Sequence, residues 1–283
     1  MNFETRLRSL GMRLFSSPRY LSFLRTKGRI KRKLTGASPT VHYFHDVRDP
    51  YSHMAVQKLD ELKSNYRIQF QAHLVSGPGG DYQGDQERFH DWALTDASHV
   101  AEYFGVNLTT EQGRPKTTQV AIANNILAEV NQEEFAETAV KIGTKLWLHK
   151  IIESHQGNGD SAVETGNNLR HQLGHYLGAM FYFEGEWFWG LDRVRSLEKR
   201  LIDEGYSQIS TICVPEPAAK DIGMRDTSTI TLEYFPSLRS PYTAVGHPAV
   251  LDMIERTGVN LIVRPVMPMM MRGIPAPREK QQY

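Results

Sequence analysis

The sequence predicts an α/β fold, and three observations carry that reading. An apolar strand at 40–46 runs through Asp49-Pro50 into a helix and then a second strand at 66–75, "YRIQFQAHLV". Two aromatic runs joined at Glu184-Gly185, "AMFYFEGEWFWG", spell a hairpin that leads into an amphipathic helix. The strand–turn–helix of "VHYFHDVRDPYS" (41–52) also returns near the other end as "ITLEYFPSLRSPYT" (230–243).

The first strand–helix–strand implies a right-handed βαβ unit with a parallel pair. Proline suits the first position of a helix, so Pro50 predicts a start there, and the helix runs to about Ser64 with Met54, Leu59 and Leu62 towards one side. A Gly-rich loop (76–84) follows. Residues 85–155 then carry apolar side chains at helical spacing, with Gly105 as one stop. "GNGD" (157–160) is a loop and "AVETGNNLRHQLGHYLG" a further helix. After the hairpin, "DRVRSLEKRLIDEG" predicts a helix with Asp192 as N-cap and Gly205 as its stop. The expected fold is one mixed sheet from 40–46, 66–75, 179–183 and 186–189, with 85–155 as a helical lobe. Residues 206–228 read as a linker.

Pro50 and Pro241 stand 191 residues apart, and at that offset Tyr43 meets Tyr234, Phe44 meets Phe235, Arg48 meets Arg239, Tyr51 meets Tyr242 and Ser52 meets Thr243. So long a period points to two domains rather than a solenoid. The second copy, from 229, has its second strand at "NLIVRPVM" (260–267), and the chain is expected to stop inside it.

Composition is that of a soluble globular protein, with no apolar run near the ~18 residues of a membrane span. Cys213 is the single cysteine, so one chain can form neither an internal disulfide nor a CxxC pair, and a reduced, cytoplasmic setting is the default. The net charge of +1 conceals an asymmetry: residues 1–36 hold ten Lys/Arg against one acid, Glu4. That basic head fits a solvated helical extension, an anionic membrane surface, nucleic acid, or in a eukaryote an organelle transit segment. Read as a solvated extension, it adds little to stability.

Two motifs, "DPYS"/"SPYT" after a strand and "FEGEWFWGLDR" (183–193), resemble the DsbA-like branch of the thioredoxin superfamily. Within it they are similar to the 2-hydroxychromene-2-carboxylate isomerase and kappa-class glutathione transferase group. The resemblance covers about 40–205 in full and 229–283 in part. "MMMRGIPAPREKQQY" looks like the opening of that group's helical insertion. The resemblance implies a thioredoxin-like fold with an inserted helical lobe, glutathione as the borrowed thiol, a small-molecule electrophile as substrate, and a homodimer as one arrangement. No metal and no nucleic acid are expected.

The resemblance also implies site residues. The group places serine before the proline, where a helix N-terminus stabilises a glutathione thiolate. Ser240 matches it. Asp49 does not: an ionised carboxylate caps a helix but has no proton to donate. A thiolate ~4 Å from it would meet repulsion of about 4 kcal/mol at an effective dielectric near ~20. Ala179 stands where the group has a cis-proline whose backbone pairs with the thiol ligand. A cis bond before a non-proline residue costs about 2.5–4 kcal/mol, so Gly178-Ala179 is expected to be trans. Asp192 matches the aspartate that binds the glutamyl amine, and it reads equally as a plain helix cap; Arg193 follows it. Ser52 and Thr243, one turn into their helices, read as hydroxyls bonded to backbone. Tyr51 and Tyr242 read as cleft lining or as packing. His171 and His175 stand at i, i+4 but lack the zincin glutamate.

The expected function is a glutathione-dependent isomerase or transferase acting on an unsaturated aromatic acid or similar electrophile, with a degenerate first domain. The rivals are a non-catalytic thioredoxin-fold interaction module and a thiol–disulfide oxidoreductase. The second rival is opposed by the lack of cysteine at 49, 52, 240 and 243.

Overall fold

The structure is a computed structural model that describes residue 14 and residues 17–77, 86–208, 212–214, 226–237, 240–268 and 271. The chain divides into two compact units, one holding the described residues up to 214 and the other those from 226.

The first unit has a four-stranded mixed sheet in the order β2-β1-β3-β4. Strand β1 (Thr40–His45) lies parallel to β2 (Gln69–Leu74), pairing Thr40 with Gln69 and His45 with Leu74. On its other side β1 runs antiparallel to β3 (Met180–Phe183), which turns through Glu184-Gly185 into β4 (Glu186–Trp189). Between β1 and β2 lie α2 (Pro50–Val56) and α3 (Leu59–Asn65). Between β2 and β3 comes the helical insertion: α4 (Gln86–Ala101), a 3-10 turn (Glu102–Phe104), α5 (Thr117–Glu129), α6 (Phe135–Trp147) and α7 (Gly159–Gln172). Helix α8 (Gly190–Asp203) closes the unit. A βαβ unit followed by an antiparallel hairpin and a closing helix is the thioredoxin-like fold, and the insertion sits where the sequence placed it.

The aromatic density of β1 and β3 explains why this sheet forms the centre. Tyr43, Phe44, Phe181 and Phe183 are fully buried, Tyr43 stacking on Phe181 with ring centroids 4.7 Å apart. Leu197 and Leu201 of α8 and Leu59 and Leu62 of α3 seal the same core. Fully burying each such side chain is worth about 1.5–3 kcal/mol.

Several expectations are corrected. The helix expected from Pro50 to Ser64 is two helices, broken at Gln57-Lys58. Gln57 keeps helical dihedrals (φ −65°, ψ −19°) and Lys58 departs from them (φ −100°, ψ −3°); the Gln57 side chain reaches Asn107, its Nε2 donating to O (2.7 Å) and its Oε1 accepting from N (2.8 Å). Helix α7 ends at Gln172 because Gly174 adopts a left-handed φ of +91°. His175 therefore leaves the helical face of His171; its Nδ1 accepts from Leu177 N (3.2 Å) and its ring packs on Trp187. Helix α8 starts two residues before Asp192, with Trp189 as N-cap, so Asp192 sits in the first turn instead of capping. The stretch read as a linker opens with residues that join the first unit. Cys213 and Val214 are buried, and their N–H groups donate to the fully buried Glu198 at 2.7 and 2.9 Å.

The basic head is corrected too, over the residues described. Helix α1 (Pro18–Thr35) is docked, with its main chain against the β3–β4 turn. A Cβ on Gly28 would lie 2.6 Å from the carbonyl carbon of Glu184, and one on Gly185 2.5 Å from Leu24 O. Arg25 makes a two-pronged bond to Glu186, Nε to Oε2 and Nη2 to Oε1, both 2.9 Å. Arg29 pairs with Glu204 (2.9 Å) and Arg32 with Glu184. Residues 1–13, 15 and 16 of the head lie outside the described residues.

The second unit carries β5 (Thr231–Tyr234), α9 (Pro241–Thr257) and β6 (Asn260–Val263), the strands parallel. Its bonds fall 191 residues from those of the first unit. The Thr40/Gln69 pairing is matched by Thr231/Asn260, and Tyr43/Ala72 by Tyr234/Val263. Val75 N donates to His45 O and Val266 N to Pro236 O. Asp46 N donates to Ser52 Oγ and Ser237 N to Thr243 Oγ1, both at 3.2 Å.

If α1 is docked, Gly28→Val lowers the melting temperature by about 4–8 °C, equivalent to losing ~2 kcal/mol in a unit of this size. A thermal scan in which Gly28→Val melts with wild type would show the helix adds nothing.

Candidate functional site

The site is built on the N-terminus of α2. Asp49 holds an extended conformation (φ −93°, ψ 118°) and caps the helix. Its Oδ1 accepts from Tyr51 N (3.2 Å), while Oδ2 accepts from Ser52 N (3.1 Å) and from the Ser52 hydroxyl (2.8 Å). Ser52 is fully buried, and its oxygen accepts in turn from Asp46 N (3.2 Å) and Ala179 N (2.8 Å). The hydroxyl therefore makes three bonds, one given and two received, and the reading of Ser52 as a backbone-bonded hydroxyl matches this geometry.

Ala179 is trans, as no described peptide bond is cis, and it carries a left-handed φ of +51°. Its N–H goes to Ser52 and its carbonyl accepts from Gly190 N (2.9 Å). Gly178 before it fits where larger residues would not. A Cβ there would stand 3.0 Å from Asp49 Oδ2 and 3.1 Å from Ser52 Oγ.

Burial, with the nearby Asp46 carboxylate adding to it, pushes the Asp49 carboxyl up to about 7. Asp46 is itself buried, accepting from Arg48 N (3.0 Å) and pairing with Arg48 Nε (3.3 Å).

Beside this cluster opens a cleft of about 470 Å³ between α2, α4 with its 3-10 turn, and the start of α8. Tyr51, Met54, Val100, Phe104, Trp189 and Leu191 give it an apolar and aromatic wall. Asp96 and Asp192 are its carboxylates. The Tyr51 hydroxyl donates to Asp96 Oδ2 (2.6 Å), and burial and that carboxylate push its pKa far up. Burial also raises Asp192. Arg193 stands on the exposed side of Asp192, its Nε 3.8 Å away.

The structure thus brings Asp49, Ser52 and Ala179 into one bonded cluster and sets Tyr51 and Asp192 among the residues lining one cleft, with Arg193 beside Asp192. Ser240, Tyr242 and Thr243 belong to the second unit. There Ser240 is the N-cap of α9 and Tyr242 is exposed. Unlike Asp49, Ser240 makes no side-chain bond to its helix. Sequence reasoning missed Asp46, Asp96 and Gly178. Asp46 had a signal, three residues ahead of Asp49 at the strand end. Asp96 had none, because its neighbours meet only in the fold.

Cys213 offers no redox chemistry. It is buried, its Sγ accepts from Asn65 Nδ2 (2.8 Å), and burial together with Glu198 pushes the thiol up to about 12.

No family model matches the sequence, and no curated protein matches it. Among solved structures the chain is similar to a selenomethionine form of 2-hydroxychromene-2-carboxylate isomerase. The match has 13% identity and a TM-score of 0.45, over 58% of this chain and 95% of that one.

Two measurements test the cluster. Asp49 holds its proton more tightly folded than unfolded, where its ordinary value is 3.8. Its contribution to stability is therefore full below that value and lost as pH rises towards about 7. Asp49→Ser should raise the melting temperature relative to wild type at pH 8 by clearly more than at pH 5. An equal change at both values would mean the carboxyl titrates normally. Ala179→Pro forces φ from +51° to about −65° and removes the N–H that Ser52 holds. It should cost about 3 kcal/mol or more in urea unfolding, and a neutral result would contradict the observed backbone.

Proposed function

We propose that the chain is a small-molecule-binding protein of the glutathione-dependent isomerase and transferase type. On this reading the first unit has given up the thiolate, and the second carries the serine that meets it. The observation behind the proposal is the closed cluster around Ser52. A thiolate brought to the N-terminus of α2 finds Tyr51 N and Ser52 N already paired with a carboxylate. Above pH ~7 it also meets that carboxylate's charge. Ala179, which the resemblance makes the docking residue, has both its N–H and its carbonyl engaged. The first unit is therefore a binding module, its cleft suited to an apolar or aromatic body.

Support for the second unit comes from Ser240. It occupies the same joint in a unit that repeats the bonds of the first at a constant offset, which favours reading 229–283 as a second copy of the plan of 40–75. Its hydroxyl makes no bond to the first turn of α9 and can donate to an anion held over those amides. A glutathione thiolate there would add to an unsaturated aromatic acid or similar electrophile, allow rotation about the bond it has made single, and leave again.

Calorimetry with glutathione tests this. Wild type is expected to bind, Ser240→Asp to abolish binding, and Asp49→Asn to leave it unchanged. Binding that survives Ser240→Asp, or that depends on Asp49, would place the thiolate in the first unit and sink the reading.

A further inference from the structure

Helix α1 is amphipathic in the opposite sense to a helix that covers a core. Its docked side carries Arg25, Gly28, Arg29 and Arg32, with the arginines paired to Glu186, Glu204 and Glu184. Its outer side carries three large apolar residues, while Leu21 and Leu24 are half-buried. Phe23 is 60% exposed, Ile30 52% and Leu34 83%. At 3.6 residues per turn these three fall within a narrow stripe, with Arg19 and Lys27 on its two borders and Lys33 and Lys31 just beyond. No acidic residue occurs anywhere in the helix. Among the described residues none of Arg19, Lys27, Lys31 and Lys33 has an ion-pair partner, whereas all three docked arginines do.

We propose that this outer face is a docking surface for an anionic lipid bilayer, with α1 lying flat on it. The charge is complementary: four unpaired cations border an apolar stripe, and a membrane surface of anionic headgroups over acyl chains answers both parts at once. A nucleic acid would use the cations but leave Phe23, Ile30 and Leu34 in water. The docking on the protein side fixes the orientation, because the main-chain contacts at Gly28 and Gly185 and the arginine pairs prevent the helix from turning its stripe inward. Eighteen residues span about 27 Å, enough for some three turns of contact. No described helix is long and apolar enough to cross a membrane, so the helix lies on the surface instead of spanning it.

The test uses the full chain and flotation with phosphatidylcholine vesicles, with and without phosphatidylserine. Wild type should float with the serine-containing vesicles only, and less so as salt rises. The triple variant Phe23→Ser, Ile30→Ser, Leu34→Ser should lose flotation. Lys27→Gln with Lys31→Gln should weaken it by about thirtyfold, at roughly a fivefold step per cation removed. All five positions are exposed, so melting temperatures should match wild type and confirm that folding is intact. Equal flotation with neutral vesicles, or none with either, would overturn the proposal. So would retention on DNA that ignores the apolar triple, or a change of oligomeric state on making that triple without loss of flotation.

Discussion

The hydroxyl of Ser52 is the point on which the first unit's functional end depends. One buried oxygen ties the end of β1 through Asp46 N, the cap of α2 through Asp49, and the entry to β3 through Ala179. The entry to β3 is distant in sequence from the other two, and the oxygen that joins them is fully buried. Leaving any of the bonded groups unpaired costs about 1–3 kcal/mol, so a single side chain answers three demands at once. The close approach at Gly178 and the left-handed backbone at Ala179 are consequences of that closure. The thioredoxin-like sheet brings the three segments together, and the hydroxyl fixes how they meet.

A second constraint sits at the other end of the sheet. Arg200 is almost wholly buried, with Nη1 donating to Phe183 O (2.7 Å) and pairing with Glu186 (2.9 Å), and Nε pairing with Glu204 (2.9 Å). Glu184, buried in the hairpin turn at a strained φ of +39°, adds a third carboxylate. One arginine among three acids is an unbalanced and poorly solvated cluster, a costly arrangement unless further cations reach it. Arg25, Arg29 and Arg32 of α1 are those cations. The arginines face inward because the acids are there, and this is what leaves the apolar side of the helix outside.

Most of the fold was legible because its signals are local. Alternating aromatics, the Glu184-Gly185 turn, Pro50 and Pro241 at helix starts, and glycine stops at 105 and 205 each act over a few residues. The residue matches at an offset of 191 were read from equally local signals. What failed was decided by distant partners. Cys213 is held by Glu198, and the basic head docks on acids 150 residues and more further along. In the site, Ser52 was read as bonded to backbone, but its distant partner Ala179 could not be. Tyr51 was read as cleft lining or as packing, and its partner Asp96 carried no mark in the sequence.

The two residues that depart from the resembled pattern at the first joint, Asp49 and Ala179, form a set. Proline at 179 would have no N–H for Ser52, so the hydroxyl would lose one of its donors. Serine at 49 in place of aspartate would give the Ser52 hydroxyl a weaker acceptor than a carboxylate. The two changes therefore support each other: Asp49 accepts the hydrogen bond of the Ser52 hydroxyl, whose lone pairs receive Asp46 N and Ala179 N. In the second unit Thr243 keeps the strand-end bond to Ser237 N, while Ser240 leaves its helix uncapped by any side chain. The shared bond is the one the strand–helix joint needs in order to fold. The bonds that differ are those to the first-turn amides, which Asp49 pairs and Ser240 leaves without a side-chain partner.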